Sequence, residues 1–430
     1  METEEFRRTF WSVYLLDKLV SCGRDRPTVL RDNDCSIQLP CSELHFRDGT
    51  PERTATLRQM SELSDEPPKS LDHFAVVALV ASCLGQTSRY MLQDRGNDKI
   101  LPWDSKSEYT TNRCRLLDLE TRIGYQGLTL SLAVHLHFST GDTIDQQRIG
   151  HFVFSQMLFH LTHCLLSHPF LLRERLKCIK RPAPTSFLRE GFLRCREHAT
   201  AMLQLVTESR AAGYRMEASF YGYCICIAGG IQVLYLNNSS AEISNQASVQ
   251  LQQTLSFMTL LAHTWKHIPP MIMALKMAAE TASSIPVALT DPSCTDSSAA
   301  MFGLDVSLWW YLVDYGLLSD SRSNAANISP LASYTQVADT PDPPAHPASD
   351  ASRSVPERPT STISPATQPN ADAAEPWFDD LLFTGLLDPS SDQHGMGDSS
   401  DTSWGSERID GGNPQAVSTL GNECFWPTSS

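Results

Sequence analysis

Four histidines on one apolar stretch, His151, His160, His163 and His168, are the side chains in this 430-residue chain best placed to attempt metal chemistry. His160 and His163 lie three apart, which on a helix puts both imidazoles on one face. No carboxylate accompanies them at ligand spacing, and Cys164 points off that face. A transition metal therefore lacks a full ligand set here, and packing or capping histidines are the weightier reading. Asp32 and Asp34 could serve as paired catalytic or metal-binding carboxylates. Without partners at fixed spacing they read as turn and capping residues. Cys224 and Cys226 stand close together in an apolar run, but no second pair repeats the spacing that structural zinc requires. The phosphate-cradling Gly-x-x-x-x-Gly-Lys loop, the dinucleotide Gly-x-Gly-x-x-Gly, His-Glu-x-x-His and the Gly-x-Ser-x-Gly elbow are all missing. The sequence gives no positive reason for catalysis, so the expectation is a non-enzyme with no cofactor of its own.

Charge and composition divide the chain more clearly than any motif. Residues 321–430 hold fifteen acidic residues against four arginines and no lysine, so this stretch carries −11 of the total −15. The preceding body is close to neutral and lacks the basic footprint of a nucleic-acid surface. Its densest basic run is Arg173, Arg175, Lys177, Lys180 and Arg181. That run could meet phosphate or be read by a nuclear importer, but a solvated helix end is the simpler reading. The twelve cysteines are scattered and no secretory signal precedes them, which points to free thiols in a reducing compartment. Thirteen of the twenty-six prolines fall beyond residue 320, among Ser, Thr, Ala and Asp. Such a stretch buries too little apolar surface to offset its ordering entropy and is expected to be disordered. One island stands apart within it, EPWFDDLLFTGLLD at 375–388. There Trp377, Phe378, Leu381, Leu382, Phe383, Leu386 and Leu387 are interleaved with Glu375, Asp379, Asp380 and Asp388. The acids keep the island solvated, while its apolar side chains can be laid into a partner's groove as a short helix. It looks like an acidic transcriptional activation motif, with coactivators as its partners; the plainer alternative is a helix that docks back on its own body.

The elements that would position these residues are helices. Phe6, Phe10, Val13 and Val20 recur at helical spacing, with Trp11, Tyr14 and Leu15 widening the apolar face and Gly23 as its C-cap. Residues 41–70 read as a polar surface connection. Helices are expected at 71–94, with Asp72 as N-cap, and at 106–123, 145–168, 185–209, 217–236, 248–267, 271–284 and 302–316. The run GLTLSLAVHLHF is ambiguous by period and is read as helix from its surroundings. Residues 217–236 have almost the length of a membrane span. Gln232, Ser219, the glycines within the segment and the lack of basic anchors favour a buried helix packed closely through glycine.

The first forty residues also carry a resemblance. Arg7 and Arg8, then Phe10-Trp11, Asp17 in a helical Leu-Asp-Lys, Arg26-Pro27, Asp34 in Asp-x-Asp and the closing Leu39-Pro40 resemble the signature of the fungal-specific transcription factor domain. Two extra residues separate Gly23 from Arg26-Pro27 where that family has a contiguous Gly-Arg-Pro. The helix running into His168-Pro169-Phe170 is also similar to the family's. The resemblance implies an all-α regulatory domain over residues 1–320, N-terminally truncated, followed by the tail at 321–430. It implies a nuclear transcription regulator of a metabolic or secondary-metabolite pathway, with no membrane contact and with homodimerisation open. DNA would be reached only through a zinc-cluster module with its bound zinc, for which these cysteines have no counterpart. The competing expectation is a co-regulator or protein-binding module with no DNA contact of its own.

Overall fold

The computed structural model describes residues 2–50, 52–61, 71–93, 100–123, 130, 138–140 and 143–319. Among them the regular elements are helices, apart from one short antiparallel hairpin, β1 (Ser139–Thr140) and β2 (Thr143–Ile144), and an isolated antiparallel bridge between Gln38 and Thr56. The all-α expectation therefore holds, while the hairpin was not foreseen. The run GLTLSLAVHLHF lies outside the described residues except for its Leu130 and Phe138, both buried.

The long helices are α1 (Glu2–Val20), α4 (His73–Ser88), α5 (Glu108–Ile123), α6 (Gln146–Ser167), α8 (Thr185–Ala211), α9 (Phe220–Tyr235), α10 (Ala241–Ala262) and α11 (Ile268–Glu280). Helix α1 packs on α4, α4 on α6 and α6 on α8; α9 leans on α6 and α8 and is covered by α10 and α11. Short helices fill the joins: α2 (Glu43–Arg47), α3 (Leu57–Ser61), α7 (Pro169–Leu176) and α12 (Ser297–Ala300). Residues 41–70 are thus not wholly a loop. Ser42 caps α2 by accepting from the His45 amide.

Several helix starts follow from capping residues. Asp72 accepts from the Phe74 amide, Asp145 from the Arg148 amide and Asp305 from those of Ser307 and Leu308. The end of α4 winds on into a π-helical turn, Arg89–Gln93. The aromatic run near residue 310 is two helices, α13 (Val306–Val313) and α14 (Tyr315–Ser319), with Asp314 extended between them.

Helix α9 is buried at every position from Phe220 to Tyr235, which explains its apolar length without a membrane. Its glycines set the packing distance. A Cβ at Gly229 would lie 2.7 Å from Thr254 Cγ2 and 3.2 Å from Leu275 Cδ1, and one at Gly222 would run into Ile268. Two further helical stretches, His73–Gln93 and Gln146–Leu176, are long and apolar enough to cross a membrane, but both are largely covered by other helices.

The buried face of α1 is rotated from the one its spacing suggests. Trp11, Tyr14, Leu15 and Leu19 are in the core, whereas Phe6 is 69% and Val13 54% exposed. Lys18 is buried with the apolar set, its stem lying over Gly85 of α4. Nor does Gly23 end the helix, which stops at Val20. Gly23 marks a close approach: a Cβ there would sit 2.7 Å from Asp314 Oδ1 and 3.0 Å from the Gly316 nitrogen.

Candidate functional site

The N-terminal signature folds into a polar knot in which α1 is wrapped by the segment that follows it. Arg8 is buried, with Nη1 donating to Glu43 Oε2 at 2.6 Å and Nη2 to the Cys41 carbonyl at 3.2 Å. Its guanidinium lies 4.1 Å from the centre of the Phe46 ring. Arg7 donates to Gln38 Oε1 at 3.1 Å and pairs with Glu4 at 2.7 Å. Trp11, fully buried, donates from Nε1 to the Gln38 carbonyl at 2.7 Å, and Phe10 meets it edge-on. Asp17 accepts from the amides of Val29 and Leu30, at 2.9 and 3.1 Å. Leu39 and Pro40 are buried, and the Leu39 amide donates to the Ala55 carbonyl at 2.8 Å.

Arg26, Pro27 and Asp34 are exposed. The Arg26 carbonyl accepts from Gln93 Nε2 at 3.0 Å, as do those of Ser21 and Gly23. Arg7, Arg8 and Asp17 thus fasten α1 to the segment that follows it. None of them is set up for acid–base or nucleophilic chemistry.

Asp32, read from sequence as a turn residue, is the centre of a second network. One carboxylate oxygen accepts from the Tyr14 hydroxyl at 2.6 Å, and the other from Ser82 Oγ at 2.7 Å and Gln86 Nε2 at 2.6 Å. Lys18 Nζ lies 3.7 Å away and donates to the Leu30 carbonyl. Burial, together with the Asp32 charge, pushes the Tyr14 phenol far above its usual range, so it is a fixed donor and not an acid.

The knot also closes the domain on itself. The Tyr315 amide donates to the Cys22 carbonyl at 2.9 Å. Arg24 reaches Asp314 through its amide at 3.2 Å and through Nε at 3.0 Å, and its guanidinium rests on Trp310.

The histidines are joined by one that sequence spacing did not single out. His160 Nδ1 on α6 and His198 Nδ1 on α8 are 2.8 Å apart, a hydrogen bond in which one ring donates to the other. His163 stacks on His198 with centroids 3.9 Å apart. Thirty-eight residues of sequence separate His160 from His198, so only the packing of α6 on α8 brings them together. Burial lowers His160 to about 4 and His163 to about 3, and holds His198 lower still. Neutral imidazoles of this kind are poor bases near pH 7. Among the described residues no group of three His, Cys, Asp or Glu side chains is arranged to hold a metal.

The basic run is divided by the fold. Arg173 is wholly buried and donates to the carbonyls of Leu289, Ala288, Asp291 and Cys294 at 3.3, 3.0, 2.8 and 2.5 Å. Arg175 lies over the Tyr90 ring and donates to the Tyr90 carbonyl. Lys177 pairs with Glu174. With Lys180 and Arg181 exposed and the two arginines inside, neither a phosphate patch nor a solvated helix end describes Arg173 and Arg175. The segment with Trp377, Phe378, Asp379, Asp380, Leu381, Leu382, Phe383, Leu386 and Leu387 lies outside the described residues.

Comparison with known proteins adds what geometry cannot. Residues 1–115 match the family model of the fungal specific transcription factor domain. The chain is similar to the Zn(2)-C6 fungal-type transcription factor FTF1c of Fusarium oxysporum f. sp. lycopersici, 23% identical over 283 residues, covering 62% of this chain and 28% of that protein. It is 31% identical over 87 residues to the citrinin biosynthesis transcriptional activator mrl3 of Monascus ruber, covering 20% of this chain and 17% of the relative. It is 32% identical over 88 residues to the sorbicillinoid biosynthetic cluster transcription factor 1 of Penicillium rubens, covering 20% and 14%. The chain spans just over a quarter of the length of the first of these. No solved structure matches.

Proposed function

We propose that this chain, whose residues 1–115 carry the fungal specific transcription factor domain, is a transcription regulator acting in the nucleus on one biosynthetic gene set. The observation that carries the reading is that match, made over the segment where the signature residues form the polar knot. The likeness to a citrinin biosynthesis activator and a sorbicillinoid cluster transcription factor supports the narrower part, control of a secondary-metabolite cluster. In this reading residues 1–320 are the regulatory body and 321–430 the activating tail, with 375–388 as the coactivator-recruiting motif. DNA contact belongs to a zinc-cluster module, whose zinc would be held by six cysteines that this sequence does not offer at the needed spacing.

A second reading, a co-regulator that meets DNA only through other proteins, draws support from the near-neutral body and the buried Arg173 and Arg175. Transcript profiling after disruption of the gene tests the first reading. The expected result is loss of transcripts from one contiguous biosynthetic cluster with the rest unchanged. An unchanged transcriptome under conditions where the gene is expressed contradicts both readings. Chromatin capture through an added zinc-cluster module, set against capture without it, separates the two.

A further inference from the structure

Helix α10 presents an unusual outer face: from Ile243 through Trp265 the sequence has no Asp, Glu, Lys or Arg. Solvated helix faces ordinarily carry charge, whereas depletion of charge around an apolar floor is the composition of an interface core. Between this face and α8 runs an open groove of about 370 Å³. Leu203, Val206 and Phe257 form its buried floor, uncharged side chains such as Gln253 its rim, and Val249 stands 55% exposed at its edge. Among the described residues lining it, Arg210 is the one that carries a charge.

Size and charge decide what fits. From Val249 to Phe257 a helix advances roughly 12 Å, about two turns. A trough of that length covers far less than the roughly 800 Å² per partner that a stable dimer needs, which argues against a second copy and for a short segment. Of the segments outside the described residues, 375–388 has the matching chemistry: four acids, no base, and large apolar side chains spaced four apart, Trp377 with Leu381 and Phe378 with Leu382. Its acids complement Arg210. The linker is long enough, because the 57 residues between Ser319 and Trp377 can span up to about 3.3 Å each when extended, several times the width of a domain of this size.

We infer that residues 375–388 dock in the groove between α8 and α10, Trp377 and Leu381 on the floor formed by Leu203, Val206 and Phe257, and Asp379 or Asp380 paired with Arg210. The inference uses the segment that the proposed function makes a coactivator motif, but not its activity. Docking and recruitment would compete for the same side chains, so the groove would keep the motif from partners until displaced.

Hydrogen exchange on the full chain tests this directly. Peptides covering 249–257 and 375–388 are expected to exchange about tenfold more slowly in the wild type than in a Trp377→Ala/Leu381→Ala variant, independently of protein concentration. Arg210→Glu, an exposed position that leaves the fold intact, is expected to release both peptides. Adding Asp379→Arg and Asp380→Arg to Arg210→Glu is expected to restore their protection. Identical exchange of 249–257 in the wild type and the tail variant overturns the inference. So does protection that vanishes on dilution, which would make a second copy the occupant. Loss of reporter activation with docking intact would count against the proposed function and leave this inference standing.

Discussion

Asp32 and Asp34 lie two residues apart and have opposite weights, which only the three-dimensional arrangement reveals. Asp32 accepts from Tyr14, Ser82 and Gln86, while Asp34 is exposed. Asp32→Asn replaces one accepting oxygen by a donor facing donors and is expected to cost about 1–3 kcal/mol. Asp34→Asn should stay within about 0.5 kcal/mol, as surface changes do. Denaturant midpoints of the two variants check this; equal effects would mean that the Asp32 network is not what holds the 24–41 segment. The histidines set a pH dependence with a definite sign. Burial lowers His151 to about 3, His160 to about 4, His163 to about 3 and His168 to about 3. Below the unfolded value near 6.5 the unfolded chain takes up protons that the folded chain refuses. Stability should therefore be level above about pH 6.5 and fall steadily from there towards pH 4. Urea titrations across that window test the slope, and His163→Gln should flatten it. A midpoint unchanged from pH 7 to pH 5 would contradict the buried neutral state of these rings.

The helices themselves were largely legible, because an apolar period of 3.6 and a capping residue such as Asp72 are local signals. What period could not settle was which of two apolar stripes on α1 faces inward. Phe6 and Val13 repeat as well as Trp11, Leu15 and Lys18 do, and it is the Leu30 carbonyl, the Asp17 and Asp32 carboxylates and the Tyr14 ring around its ammonium that make a buried lysine tolerable. The same limit hid Arg173, whose four carbonyl partners come from residues more than a hundred positions later. His198 was invisible for that reason too. At this scale two substitutions are informative. Arg173→Met strands several buried carbonyls of the 288–294 turn and should destabilise by at least about 3 kcal/mol. Gly229→Ala forces a methyl group against Thr254 and Leu275 and should cost about 1–3 kcal/mol by overpacking α9 on α10 and α11. Thermal melts of the full chain read both. A neutral Gly229→Ala would mean that α9 has slack against its neighbours, contrary to its complete burial.

For the molecule as a whole, the uneven charge has a simple consequence. A near-neutral body joined to a −11 tail should not hold DNA by phosphate neutralisation, so the purified chain is expected to show no sequence preference at physiological salt. Clear preference for one promoter fragment over scrambled DNA would refute this. The division of labour between body and tail is the central claim, and one measurement addresses it most directly: reporter output in a fungal cell from residues 321–430, freed of the body and tethered to an unrelated DNA-binding domain. Activation is expected, with near-complete loss on replacing Trp377, Phe378 and Leu382 by Ala, and a smaller loss on replacing Asp379 and Asp380 by Asn. The apolar side chains supply the binding free energy, about 1–3 kcal/mol each when fully buried, while the acids keep them solvated beforehand. Full activation by the triple Ala variant, at matched protein levels, would contradict the account.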